Sequence, residues 1–303
     1  GDDDDTTPGD DDDTTPGDDD DDDSLGDDDD SAGGCAAAVP CAGDYEIQSE
    51  TDLEAIAECE VIQGDLTIES HPTLTATELP CLTPVEGELE LTYAAFATSL
   101  AMPALTSVRD DLDIRHNIAL TLVDVPVLAA VGDDLNIDDN ILLTRIDMPA
   151  LAAVYNRLTI SSNPSLPDLD GLSGVTEVGD DLTIRENSVL TDVDGLSNLT
   201  SVGDTVFVDD NAALTSLAGL SSVTIVGTSV EIDNNDALTS LDLPGLTNAY
   251  SLAISDNDAL TSFDLPNFTT ADWSVSISDN DALTSLDGLA NLSNAAMSLY
   301  VND

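Results

Sequence analysis

From residue 66 onward the chain repeats one pattern: an aliphatic, any residue, an aliphatic, two polar residues, Asn, two residues, Leu, then Thr. The Asn positions fix the period. They are Asn117, Asn140, Asn163, Asn187, Asn211, Asn235, Asn257 and Asn280, in steps of 23, 23, 24, 24, 24, 22 and 23. His71 and Ala94 hold the same slot in two degenerate earlier coils. A period of 22 to 24 residues matches one leucine-rich-type coil. It is too short for a helical hairpin repeat and too long for a hexapeptide β-helix.

Within each coil, aliphatics alternate with polar residues, as in Leu112 and Ile114 against Asp113 and Arg115. That period of two marks a strand with its aliphatics inward and its polar residues on an exposed face. Gly-Asp corners such as Gly132-Asp133-Asp134 and Gly179-Asp180-Asp181 re-aim the chain into the next layer. Pro103, Pro126, Pro149, Pro244 and Pro266 fall on the return side, which is expected to lack a continuous ladder and so to need no N–H there. The expected fold is all-β: a right-handed parallel β-solenoid of about ten coils, roughly 50 Å long at the interstrand spacing. A column of Asn at one bend is a structural ladder, since a buried amide can bond the backbone of its own and adjacent coils.

Three regions follow. Residues 1–34 form an Asp-rich linker built on GDDDDTTPG, with eighteen Asp. Their mutual repulsion predicts an extended, disordered spacer, with weak multivalent calcium binding as the alternative. Residues 35–65 are the N-terminal cap, where Thr51 and Glu54 have the spacing of a capping box opening a short helix. Residues 66–303 are the repeat. Leu299–Asp303 stops one residue short of the next expected Asn, so a C-terminal cap is missing; the chain is read as a fragment, or as stacking end to end on another copy.

Charge narrows the partners. With 63 acidic and 5 basic residues the formal charge is -58, which excludes nucleic acid and anionic membrane surfaces. No apolar run approaches the ~20 residues of a membrane span. Cys35, Cys41, Cys59 and Cys81 cluster at one end without a CxxC pair, which reads as disulfide stapling in an oxidising compartment. Sequence by itself leaves their connectivity open.

Cys59-Glu-Val-Ile-Gln-Gly-Asp-Leu-Thr-Ile68 resembles the receptor L domain, the β-helical leucine-rich relative found in insulin and epidermal growth factor receptors. The segment Tyr45–Ile56 and the Met-Pro-Ala-Leu stretches at 102–105 and 148–151 resemble the GPI-anchored fungal cell-wall family built on that domain. The tail is similar to spacers that follow the lipidated Cys of some bacterial surface lipoproteins. This implies a lipid anchor upstream of Gly1 as the only route to a membrane. The L-domain resemblance also implies that Cys41 pairs with Cys59, leaving Cys35 for Cys81. It covers residues 41–303 and implies fold more than function.

Two sets of site residues stand out. Asp139, Asp210, Asp256 and Asp279 precede the Asn column, and the corner residues Asp133, Asp134, Asp180 and Asp181 recur layer on layer. They are either a solvated acidic face or low-affinity calcium ligands, calcium being the one cofactor to test. Tyr155, Tyr250 and Trp273 fall at the corner otherwise held by Gly or Asp, as an aromatic strip for sugar rings. Outward carboxylates such as Glu90, Asp113 and Asp209, and His116 as a lone imidazole, sit on a face with no insertion to build a cleft, so no enzyme is expected. The expected function is extracellular, cell-surface binding or adhesion toward a protein or glycan. The alternative is a structural subunit of an envelope layer or filament. A polysaccharide-active β-helix enzyme ranks last.

Overall fold

The computed structural model describes residue 35 and residues 39–69, 74, 75 and 77–302. The Asp-rich segment 1–34, with its spacer and calcium readings, and the slot of His71 lie outside the described residues. The body is an all-β parallel solenoid of about 11 turns spaced about 23 residues apart. That is one turn more than the pattern predicts, because Tyr45–Ile47, inside the expected cap, already pairs in register with Leu66–Ile68. The aliphatic alternation is present there but lacks an Asn to announce it.

Each turn contributes to a wide parallel sheet of 13 strands. Leu112 pairs with Leu89 and Leu135, and Ile114 with Leu91 and Ile137, so inward aliphatics stack on inward aliphatics. These side chains are fully buried. The two aromatic rings of the core, Phe263 and Phe268, both lie near the C-terminal end. Small branched side chains suit a core one coil wide, since each layer must fit the one below it.

The return side is more regular than the prolines suggest. It carries a nine-stranded sheet of mostly two-residue strands, such as Ala130–Val131 between Ser107–Val108 and Ala153–Val154, and a four-stranded sheet containing Leu122–Asp124. Pro103, Pro126 and Pro149 occupy the turns between these two sheets, where no N–H is demanded of them. Where the sequence reads Asp-Gly-Leu or Ala-Gly-Leu instead, the strand is replaced by a 3-10 turn at Asp170–Leu172, Asp194–Leu196, Ala218–Leu220 and Asp287–Leu289. Gly171 shows why: a Cβ there would stand 1.8 Å from the carbonyl oxygen of Ile146.

The N-terminal end is covered by helix α1, Glu50–Ala55. Its N-cap is Ser49, not Thr51. Ser49 Oγ accepts from the Asp52 N–H at 3.3 Å, and the Asp52 carboxylate reaches back to the Gln48 N–H at 3.1 Å. This is a variant of the capping box, with Asp in place of Glu and its return bond taken from the residue before the cap. Disulfides join Cys35 to Cys81 and Cys41 to Cys59, with Cα atoms 5.4 and 5.7 Å apart. Such bonds belong to an oxidising, non-cytoplasmic setting. No helix of the described residues is long and apolar enough to cross a membrane.

Candidate functional site

The Asn column fixes where every exposed residue near it points. Asn117, Asn140, Asn163, Asn187, Asn211, Asn235, Asn257 and Asn280 are all buried. Each Oδ1 accepts from the backbone N–H of the same slot one turn earlier, at 2.9 to 3.2 Å, beginning with Ala94. Each Nδ2 donates to the carbonyl of an inward aliphatic of that earlier turn, at 2.8 to 3.0 Å. To bring its amide inward, the chain turns through the left-handed region one residue before. Among the described residues nine non-glycine residues stand there, with φ of 51° to 59°: Tyr93, His116, Asp139, Ser162, Glu186, Asp210, Asn234, Asp256 and Asp279. Asp and Asn tolerate this conformation best, which accounts for the Asp residues seen ahead of the Asn column.

That column presents its side chains on one rim of the wide sheet. His116 is not a lone imidazole: its ring stacks on Tyr93 with centroids 4.8 Å apart, and its Nδ1 lies 2.9 Å from Asp139 Oδ2. Asp113 is not an exposed carboxylate either. Arg115 and Asn136 close over it, Asn136 Nδ2 donating to Asp113 Oδ1 at 2.7 Å, and it is 2 % exposed. Further along, partial desolvation, then Asp233 and Asp279, raise the pKa of Asp256 above the usual carboxylate range. Glu186 moves the other way, because hydrogen bonds from Arg185 and Ser162 favour its charged form.

At the opposite rim the corner carboxylates divide by role. Where an Asp directly precedes a strand of the wide sheet, it binds the backbone one turn on. Asp44 Oδ1 accepts from the Asp65 N–H, Asp111 Oδ1 from Asp134, Asp134 Oδ1 from Arg157, and Asp181 Oδ1 from Thr205, at 2.8 to 3.1 Å. Two triads gather oxygens within 4.8 Å of one another: Asp111, Asp133 and Asp134, and Asp180, Asp181 and Asp204. Asp139, Asp210, Asp256 and Asp279 join neither of these triads. Each triad offers three carboxylates, at most six oxygens against the roughly six to eight that calcium takes, and some of those oxygens already serve the ladder. Over the second triad Arg157 Nε stands 3.4 Å from both Asp180 and Asp181. Partial desolvation and then Asp181 raise the pKa of Asp180.

The predicted aromatic strip is broken. Tyr250 and Trp273 stack, centroids 5.7 Å apart and planes 15° from parallel, whereas Tyr155 lies turns away, at the edge of a shallow groove with Pro84, Arg109 and Ala130. The sequence reading also missed two exposed Thr columns. In one, the Thr121, Thr144 and Thr215 hydroxyls donate to the carbonyls of Thr98, Thr121 and Thr191. In the other, Thr176, Thr200 and Thr224 donate to Ala152, Thr176 and Thr200. The recurrent Leu-Thr of the repeat was the available signal. This second column also accounts for three Asn-x-Ser/Thr triplets, the pattern of an N-glycosylation sequon, that begin at Asn198, Asn267 and Asn291. Their amides donate to carbonyls of the turn before, at 2.7 to 2.8 Å, so Asn-x-Ser/Thr here is ladder chemistry.

No protein-family model, curated protein or solved structure matches this chain.

Proposed function

We propose that the chain is an extracellular, surface-displayed recognition protein without a catalytic role, and that its wide sheet is the ligand-binding face. One observation carries this reading. Inward and ladder positions keep one residue class from turn to turn, while the outward middle column changes: Glu90, Asp113, Asn136, Thr183, Phe207 and Glu231 occupy equivalent places. A rigid backbone with varied outward side chains is a preorganised surface, which reduces the ordering cost of binding. The disulfides agree with exposure to an oxidising exterior. The Asp-rich sequence of residues 1–34 agrees with a spacer.

The test is binding of the full monomeric chain to cell-envelope fractions and extracellular polysaccharides, measured by surface plasmon resonance. Saturable binding that is lost in Asp209→Arg/Glu231→Arg, with unchanged circular dichroism, supports the reading. Concentration-dependent rods in small-angle scattering without a saturable ligand would favour a structural subunit. Release of reducing ends from any polysaccharide in the panel would overturn the non-catalytic assignment.

A further inference from the structure

The acidity of the wide sheet is interrupted in one place. Between Leu89 and Asp233 no two successive layers are free of charge at their outward strand positions. In the next two layers those positions are Ser251, Ala253 and Ser255, paired in register with Ser274, Ser276 and Ser278. Ser255 Oγ donates to Asp233 Oδ1 at 2.7 Å. Among the described residues, the hydroxyls of Ser251, Ser274, Ser276 and Ser278 have no hydrogen-bond partner in the chain.

The same two layers have lost the Gly-Asp corner. Asn248–Ser255 and Thr270–Ser278 run as single strands through it, and a register shift between Ala249 and Ser251 accommodates one extra residue in the second. Tyr250 and Trp273 project from this rim as the stacked pair, 43 % and 45 % exposed. Asp272 adjoins them, and Asp256 and Asp279 stand on the far rim.

We propose that this uncharged, hydroxyl-bearing patch with its aromatic rim binds a neutral oligosaccharide chain. The proposal deepens the recognition reading above and rests on it. Aromatic surface packs against the C–H faces of hexose rings, and free hydroxyls at the spacing of a parallel sheet meet the hydroxyls of a sugar chain. Size separates the occupants. Counting the next layer, where Ser298, Tyr300 and Asn302 are uncharged as well, three layers at about 4.8 Å by a strand and rim of roughly 25 Å give about 360 Å². A stable protein partner needs about 800 Å² per side, whereas a few sugar rings fill the smaller area. Charge selects among sugars, because an anionic polysaccharide would meet Asp256, Asp272 and Asp279 at both rims of a chain of formal charge -58.

Trp273 is the only tryptophan in the chain, so its emission reports on this patch directly. The experiment titrates the full chain with cellohexaose, maltohexaose, xylohexaose and chitohexaose, with polygalacturonate as the anionic comparator. A saturable change in Trp273 emission with at least one neutral oligosaccharide, and none with polygalacturonate, is expected. By calorimetry, Trp273→Ala weakens that binding about tenfold, the scale of a lost aromatic contact. Ser276→Glu places a carboxylate mid-patch and does the same while keeping the thermal midpoint; Tyr155→Ala changes nothing. Absence of any response to the neutral panel overturns the proposal. Calorimetric binding that survives both Trp273→Ala and Ser276→Glu also overturns it, yet leaves the broader recognition reading standing.

Discussion

The buried Asn residues show how much one amide can be made to do. In the middle of the column, Asn163 accepts from the Asn140 N–H and donates to the Ile137 carbonyl. Asn163→Ala strands both of these buried groups, so unfolding free energy should fall by about 2 to 4 kcal/mol, the penalty for unsatisfied buried polar groups. Denaturant titration measures it, and a loss below about 1 kcal/mol would mean that water replaces the amide. The surface carboxylates act in the opposite sense. Asp180, Asp256 and Glu88 have raised pKa values, so the folded chain takes up protons at these sites more readily than the unfolded chain. Their contribution to stability therefore improves as pH falls through the raised folded values toward the ordinary 3.8 of Asp and 4.5 of Glu. The lowered Glu186 opposes this. The thermal midpoint at constant ionic strength should rise as the pH is lowered toward those ordinary values, and by less in Asp256→Asn. The Asn ladder was legible in sequence from its spacing. The left-handed residue ahead of it was not, because Tyr93, His116 and Glu186 are poor advertisements for positive φ.

At the scale of the element, legibility followed the length of each strand. From Leu89 to Ser278 the wide sheet shows four or more alternating residues per turn, and its register there is visible in the sequence alone. The return strands show only one inward aliphatic each, such as Val131 beside Ala130, so a ladder there looks like a loop with prolines in it. The corner glycines suit a turn, but the stronger constraint is close approach between layers. A Cβ at Gly203 would stand 1.8 Å from the Gly179 carbonyl oxygen. Gly203→Ala must push neighbouring turns apart or bend the corner, so a loss of about 3 kcal/mol or more is expected from overpacking against backbone. Wild-type-like thermal unfolding of that variant would show that the layers can slide apart locally.

Over the whole molecule, the solenoid carries its charge on the outside of a core that is aliphatic almost throughout. Repulsion recurs layer after layer, and salt should relieve it. Sodium and calcium at matched ionic strength should raise the thermal midpoint to a similar degree, since the corner oxygens already hold backbone N–H groups and Arg157. A markedly larger rise with calcium, reversed by chelator, would establish the two corner triads as true sites by linkage between binding and folding. The sequence showed the acidity but could not assign it, because ladder oxygen, ion-pair partner and free ligand are all written as Asp.

The Cys35–Cys81 bond spans 46 residues of sequence, and that makes it a mechanical element. Tension drawn through residues 1–34 reaches Cys35 and crosses directly to Cys81, already within the stacked turns. The chain between the two cysteines then lies off the path of the load. Reduction of that bond alone would reroute the pull through the Cys41–Cys59 bond, which still shields helix α1, and would make about 100 Å of chain available to unravel at full extension. The bond thus decides whether a pulled molecule yields at its weakest end or holds as a rod.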